Sequence, residues 1–276
     1  MIKKDDIRIE MVIMNIIYTI NNILKKENID IYTITYNILP YQNKSGLIEI
    51  VEDAVTIQEI KDMNFSIQNY IMENNKNSTV HEIKERFAKS CALYSVISYL
   101  LGLGDRHLDN IMLNKKGILF HIDFAFILGS DPKPNAPELR IIPEMIDAMG
   151  GEESIYYNIF KKYSKKIFNF LRRHSNTIFI LLSVLSDCDP PIENNKYNIN
   201  YIKNQIINRF MPGEKYDNAE IRFNKIVSKN SSYTYDQKIN DFIHKNNDNF
   251  FIKIGSNFIN ATSNIINKGF ETLNIF

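Results

Sequence analysis

The 276 residues are 44% hydrophobic and carry 33 Lys and Arg against 32 Asp and Glu, a formal net charge of +1. A chain of this size buries a substantial core, as one large domain or two lobes, and its balanced charge gives no global attraction to nucleic acid. No run approaches the roughly 20 apolar residues of a membrane span, the first residues lack a secretory signal's apolar core and cleavage site, and Cys91 and Cys188 have no metal-ligand spacing, so a cytoplasmic protein with free thiols is expected.

From Asp5 to Lys26, apolar Ile7, Met11, Met14, Ile17, Ile20 and Leu24 recur at a helical period, and acidic Asp5 and Asp6 suit a helix N-terminus. Ile31 to Ile38 alternates in the manner of a strand, Pro40 to Gly46 supplies a turn, and Leu47 to Val51 is a short apolar run that ends a small sheet. Asp53 to Tyr70 reads as helical from near Thr56, and Glu73 to Ser78 is an Asn-rich loop. His81 to Leu101 is a helix with Phe87, Cys91, Tyr94 and Leu100 buried, and it delivers the chain into the most informative stretch of the sequence.

That stretch is Gly102 to Gly129, GLGDRHLDNIMLNKKGILFHIDFAFILG. Ile111-Met112-Leu113 and Ile118 to Ile122 are apolar runs separated by Asn114-Lys115-Lys116-Gly117, which predicts an antiparallel hairpin. With Lys116-Gly117 as the turn centre, Leu113 pairs with Phe120, Ile111 with Ile122, and Asn110 with Asp123. An amide and a carboxylate then stand side by side at the open end, an oxygen site for a hard cation such as Mg²⁺. Asp105 and His107, just upstream, are groups that manage protons and charge. Together these residues form the layout of a phosphoryl-transfer site, where catalysis is mostly positioning and charge neutralisation. His121 is expected to hydrogen-bond structurally.

Phe124 to Met149 holds four prolines, which favour an extended path, with Lys133 and Arg140 projecting from it. Gly151 to Leu185 reads as a helical pair that ends in a turn at Asp187 to Pro191. Lys161, Lys162, Lys165 and Lys166, with Arg172 and Arg173 downstream, form either a basic face or a plain solvated one. Tyr201 to Phe210 and Ala219 to Val227 are amphipathic helices on either side of Pro212-Gly213, and Tyr233 to Lys245 has a helical period. The last stretch, Phe250 to Phe276, is rich in Phe and Ile and suits either packing or contact with a membrane interface.

Asp105-Arg106-His107-x-x-Asn110, followed after the hairpin by Asp123-Phe124, resembles the catalytic and metal-binding segments of phosphatidylinositol 3- and 4-kinases. Asp131-Pro132-Lys133-Pro134, Pro143-Glu144-Met145 and Met149-Gly150-Gly151 are most similar to the class III phosphatidylinositol 3-kinase activation loop. The resemblance covers roughly residues 5 to 190. It implies an α+β, two-lobed kinase fold, with residues 1–52 as a remnant N-lobe and hinge and 53–276 as a mostly helical C-lobe with a tail.

The resemblance also implies ATP and Mg²⁺ as cofactors and catalytic roles for Asp105 and His107, with Asn110 and Asp123 on the metal. Glu49 and Val51 would meet adenine through their backbone, and Lys133 and Arg140 would meet the lipid headgroup. Asp5-Asp6-Ile7-Arg8 stands where the family has D-D-L-R, and Glu10 stands where an acidic residue faces the ATP lysine. The strand that bears that lysine comes earlier in the family. Here Ile2 occupies the aligned position and Lys3 lies one residue away, so a truncated N-lobe is expected.

The expected activity is transfer of the ATP γ-phosphate to an inositol hydroxyl, the 3-position favoured, of phosphatidylinositol in a membrane touched peripherally. A regulatory subunit is a possible partner, and nucleic acid is not. The alternative is a catalytically impaired module that binds nucleotide, lipid or a partner. Ala125 replaces the family's D-F-G glycine and disfavours positive φ there.

Overall fold

The computed structural model describes residues 1–41, 44–133, 136–189 and 191–230. The expectations for residues 233–276 fall outside these. Helix α1 (Arg8–Lys26) begins where the Asp6 carboxylate accepts the Arg8 backbone N–H at 3.2 Å. Its apolar stripe is buried from Ile9 to Leu24, and Glu10 is buried with it.

Against α1 lies a three-stranded antiparallel sheet of β1 (Ile2–Lys3), β2 (Ile38–Pro40) and β3 (Gly46–Ile48), in the order β1-β3-β2. The turn after Pro40 closes with Tyr41 N–H donating to Ser45 O at 2.9 Å. The strand expected over Ile31 to Ile38 is shorter: residues 31–37 are irregular and β2 starts at Ile38. This segment is held by side chains instead of a ladder. Ile31 and Tyr36 are buried, and the Tyr94 hydroxyl donates to Ile34 O at 3.2 Å.

A second antiparallel sheet joins β4 (Ala54–Thr56), β5 (Ile111–Asn114) and β6 (Leu119–His121). The expected hairpin forms, but its register is shifted by one. Leu113 pairs with Leu119, Met112 with Phe120 and Ile111 with His121. The loop has three residues because Gly117, at φ +80°, closes it with its N–H on Asn114 O, while Asn114 N–H reaches Ile118 O. This is the three-residue connection with a left-handed glycine, not the two-residue turn. Asn110 therefore faces Ile122, whose N–H donates to its carbonyl at 3.1 Å, and Asp123 lies one residue further on.

The helix expected over Thr56 to Tyr70 is two helices, α2 (Ile57–Asp62) and α3 (Ile67–Asn74), each begun by a side-chain cap, from Thr56 and Ser66 respectively. Asn64 at φ +58° breaks the run between them. Helix α4 (Val80–Leu101) starts in a Thr79–Glu82 capping box and stops at left-handed Gly102. It is the central helix, buried without interruption from Phe87 to Leu101, with the second sheet on one side and α6 (Ile155–Arg173) on another.

The activation segment is not extended throughout. Pro143 opens α5 (Pro143–Ala148), taking the first helical position, where its missing N–H costs nothing. Helices α7 (Ser175–Ser183), α8 (Ile199–Phe210) and α9 (Tyr216–Asn230) complete the described core, with Phe223 of α9 stacked on Phe168 of α6 at 4.2 Å. Among the described residues no helix is long and apolar enough to cross a membrane.

Candidate active site

Each side of the site is supplied by a different element. From the first sheet, β1 turns Lys3 toward α1. Its Nζ lies 3.3 Å from Glu10 Oε2 and 3.0 Å from Asp123 Oδ1. Glu10 is 4% exposed, and its other oxygen accepts the buried Tyr36 hydroxyl at 3.1 Å. Burial pushes the Lys3 ammonium down, but the two carboxylates outweigh it, and the net effect is upward. Burial and Glu10 together hold the Tyr36 phenol far above its usual range.

The second side is the loop between α4 and β5. Arg106 is buried, with Nε on Gly104 O at 2.7 Å, Nη1 on Ile122 O at 2.7 Å and Nη2 on Asp123 O. One guanidinium thus ties the loop between α4 and β5 to the chain leaving β6. Burial pushes its pKa down to about 10, still far enough above neutrality to keep the cation. Asn110 is buried and donates its amide to Asp105 O at 3.0 Å, which leaves its Oδ1 for another partner.

Asp105 and Asp123 both adopt left-handed backbones, at φ +54° and +57°. After β6 positive φ falls on Asp123, and again on Leu128 and Gly129, but not on Ala125, where the missing glycine was expected to matter. His107 lies between carboxylates, its Nε2 3.8 Å from Asp105 Oδ2 and its Nδ1 3.6 Å from Asp109 Oδ2. His121 is buried, stacked on Tyr94 at 5.0 Å, and held well below the usual imidazole range by burial and by Arg106. It is a neutral structural ring.

The two cations expected to project from the activation segment part company. Lys133 Nζ reaches Asp105 Oδ1 at 2.9 Å. Burial pushes the Asp105 carboxyl up, but Lys133, His107 and Arg106 outweigh it and hold it below the usual range. Arg140 does not project: it is 7% exposed and lines a small pocket with Tyr94, His121 and Met145 under the second sheet. The apolar residues around it, Leu139, Ile141 and Ile142, are all buried and carry it inward.

At the hinge, Glu49 N–H donates to Asn37 O at 2.9 Å, and the Glu49 side chain accepts from the Asn37 amide at 2.7 Å. The lysines of α6 lie elsewhere. Lys162, Lys165, Lys166 and Arg173 share a cavity of about 810 Å³ with Glu27 and Glu214, and no residue of the site lines it.

The family model for "Phosphatidylinositol 3- and 4-kinase" matches residues 1–189. The chain belongs to the phosphatidylinositol 3- and 4-kinase family. Curated relatives of this phosphatidylinositol kinase family chain include phosphatidylinositol 3-kinase VPS34 of Arabidopsis thaliana, 39% identical over 194 residues, which is 68% of this chain and 24% of that protein. VPS34 of Saccharomyces cerevisiae is 36% identical over 192 residues, covering 68% and 22%. Phosphatidylinositol 3-kinase pik3 of Schizosaccharomyces pombe is 32% identical over 244 residues, covering 85% and 30%. The chain thus spans about a quarter of the length of the relatives it matches.

The site of this family member includes groups that sequence reasoning passed over. Tyr36 sat inside an apparent strand alternation, and nothing local marked its hydroxyl as Glu10's partner. Three side chains beyond the family match also reach the site's supports: Lys196 to Ser130 Oγ at 2.8 Å, Tyr201 to Leu128 O at 2.9 Å, and Arg209 to Tyr99 O at 2.8 Å. They carry no motif, and their role depends on how α8 and the turn before it pack.

Proposed function

We propose that the chain is the catalytic segment of a phosphatidylinositol 3-kinase that moves the γ-phosphate of ATP to the 3-hydroxyl of membrane phosphatidylinositol. The observation that carries this reading is Lys3, whose ammonium rests on both Glu10 and Asp123. An ammonium held by a helix carboxylate beside a metal-binding carboxylate is the kinase arrangement for gripping ATP phosphates. Lys3, not the aligned Ile2, fills that role, and residues 1–52 act as the N-lobe side of the cleft. The Glu49 carbonyl and the Val51 N–H would meet adenine.

Asn110 and Asp123 fit a magnesium ion. Both offer hard oxygens, the Asn110 amide nitrogen is already committed, and Asp123 already attracts a cation, the Lys3 ammonium. Held by these two residues, Mg²⁺ would supply charge neutralisation at the ATP phosphates. On this reading the inositol hydroxyl meets Asp105 and His107, and His107, which lies between two carboxylates, would take or share its proton. Lys133, beside Asp105, would meet the lipid headgroup, and the buried Arg140 would not. Contact with the membrane is peripheral.

The test is phosphate transfer from labelled ATP to phosphatidylinositol vesicles with Mg²⁺, comparing the chain with Asp123→Ala. The expected result is 3-phosphorylated lipid from the chain and a loss of at least a hundredfold in the variant, the scale for removing one charge-stabilising group. No lipid product from either, with Mg²⁺-dependent ATP binding retained, would overturn the reading in favour of a nucleotide-binding module.

A further inference from the structure

The catalytic loop and the start of the activation segment run side by side as one unit. Leu128 N–H donates to Leu101 O at 2.7 Å, Gly129 N–H to Gly102 O at 2.9 Å, and Gly104 N–H to Phe126 O at 2.9 Å. The approach is so close at Gly104 that a Cβ there would lie 2.1 Å from Ser130 O. Where this ladder ends, the Asp131 carboxylate takes over. Its Oδ2 accepts the Asp105 backbone N–H at 2.7 Å, and its Oδ1 accepts the Lys133 backbone N–H at 2.8 Å. Lys133 then reaches back, its Nζ 2.9 Å from Asp105 Oδ1.

We propose that Asp131 is a positioning residue for phosphoryl transfer: its two carboxylate oxygens fix the backbones of Asp105 and Lys133 together, so that both side chains are aimed at one point before substrate arrives. The proposal rests on the reading of this site as a kinase centre. Its physical basis is the backbone of Asp105, which sits at φ +54° without being glycine. A left-handed backbone at a residue with a Cβ, even at an Asp that tolerates it better than most, persists where neighbours over-determine it. A charged acceptor on its N–H is a strong neighbour. Without it, Asp105 relaxes toward negative φ, and its carboxylate leaves both His107 and Lys133. The same loss frees the turn that returns Lys133.

A residue that touches no reacting atom but sets where two others point governs turnover, not ATP affinity. Misplacing a reacting group by about 1 Å costs on the order of a hundredfold in rate.

The experiment compares Asp131→Ala and Asp131→Asn with the unaltered full chain. Deuterium exchange on peptides spanning residues 103–107 and 130–133 is measured without nucleotide. Asp131→Ala is expected to speed exchange at both the Asp105 and Lys133 amides at least tenfold, and Asp131→Asn, which keeps one acceptor oxygen, to leave one of the two protected. In the lipid assay kcat falls ten- to a hundredfold in the alanine variant with KM for ATP unchanged, and the asparagine variant recovers part of it. Unchanged exchange at both amides in Asp131→Ala would overturn the proposal, as would a rise in KM for ATP with kcat intact. If the unaltered chain phosphorylates no lipid, the functional reading fails on its own, and the exchange measurement still decides the role of Asp131.

Discussion

Lys3 is where the N-terminal sheet meets the segment that follows the second sheet, since its ammonium joins a carboxylate of α1 to the carboxylate that follows β6. Replacing it has two separable effects. Lys3→Met removes the cation proposed to grip the phosphates, with an expected loss of a hundredfold or more in transfer rate. It also strands the buried Glu10 carboxylate beside Tyr36, at a cost of roughly 1–3 kcal/mol. Adding Glu10→Gln removes the stranded charge and is expected to restore the melting temperature but not the activity. Recovery of transfer in the double variant would show that Lys3 does not grip phosphate. The motif residues around it, Asp105, Asn110 and Asp123, were legible because their order and spacing recur. Lys3 was harder to place. Counting residues puts Ile2 at the lysine position, whereas the pairing of Ile2 with Leu47 and Lys3 with Gly46 decides which of the two faces the cleft. A shift of one residue in a strand exchanges its faces. Arg140 shows the opposite error, because a cation in a proline-rich stretch reads as exposed unless the burial of its neighbours is known.

At the scale of elements, the hairpin was visible in the apolar runs Ile111 to Leu113 and Ile118 to Ile122 on either side of Asn114 to Gly117, but its register was not. Asn-Lys-Lys-Gly accommodates a two- or a three-residue loop, and the left-handed glycine with its hydrogen bonds selects the longer one. The break between α2 and α3 was equally hidden, since Asn64 tolerates positive φ without advertising it. Helix α5, unexpected in the activation segment, is tied to the body of the molecule by Lys61 Nζ of α2, 2.6 Å from Glu144 Oε1. Burial pushes the Glu144 carboxyl up, but Lys61 outweighs it and holds it below the usual range. Stability from this pair is therefore fully present above the unfolded glutamate pKa and is lost as pH falls through the depressed folded one. Both partners are more than a third exposed, so the pair contributes only about 0.2–1 kcal/mol. Lys61→Met is expected to melt about 1–3 °C below the unaltered chain at pH 7, with the gap closing below about pH 4. A gap that persists in acid would mean that the methylene stem of Lys61, not its charge, holds α5.

For the molecule as a whole, the decisive fact is that the family match stops at residue 189 while the core does not. Tyr197, Ile202, Phe210, Ala219 and Phe223 are all buried, and Phe223 covers Phe168 face to face. Arg172 on α6 depends on the same region. Its guanidinium donates to Phe210 O, Met211 O and Glu214 O at 2.8, 2.5 and 2.9 Å. Removing α8 and α9 exposes an aromatic face of α6 and leaves a buried cation without its carbonyls. Each buried aromatic contributes roughly 1.5–3 kcal/mol, against a total stability of about 5–15 kcal/mol for a native domain, so the loss of a handful exceeds what the fold can absorb. The site suffers as well, because Tyr201 and Arg209 brace the start of the activation segment and the end of α4. A chain ending at Asp189 contains every motif residue of the site, yet it is expected to show no cooperative thermal transition, to bind a hydrophobic dye, and to transfer no phosphate. Should that piece melt cooperatively near the temperature of the full chain, the core would close without α8 and α9, and their contacts with Leu128 and Tyr99 would be incidental to the site.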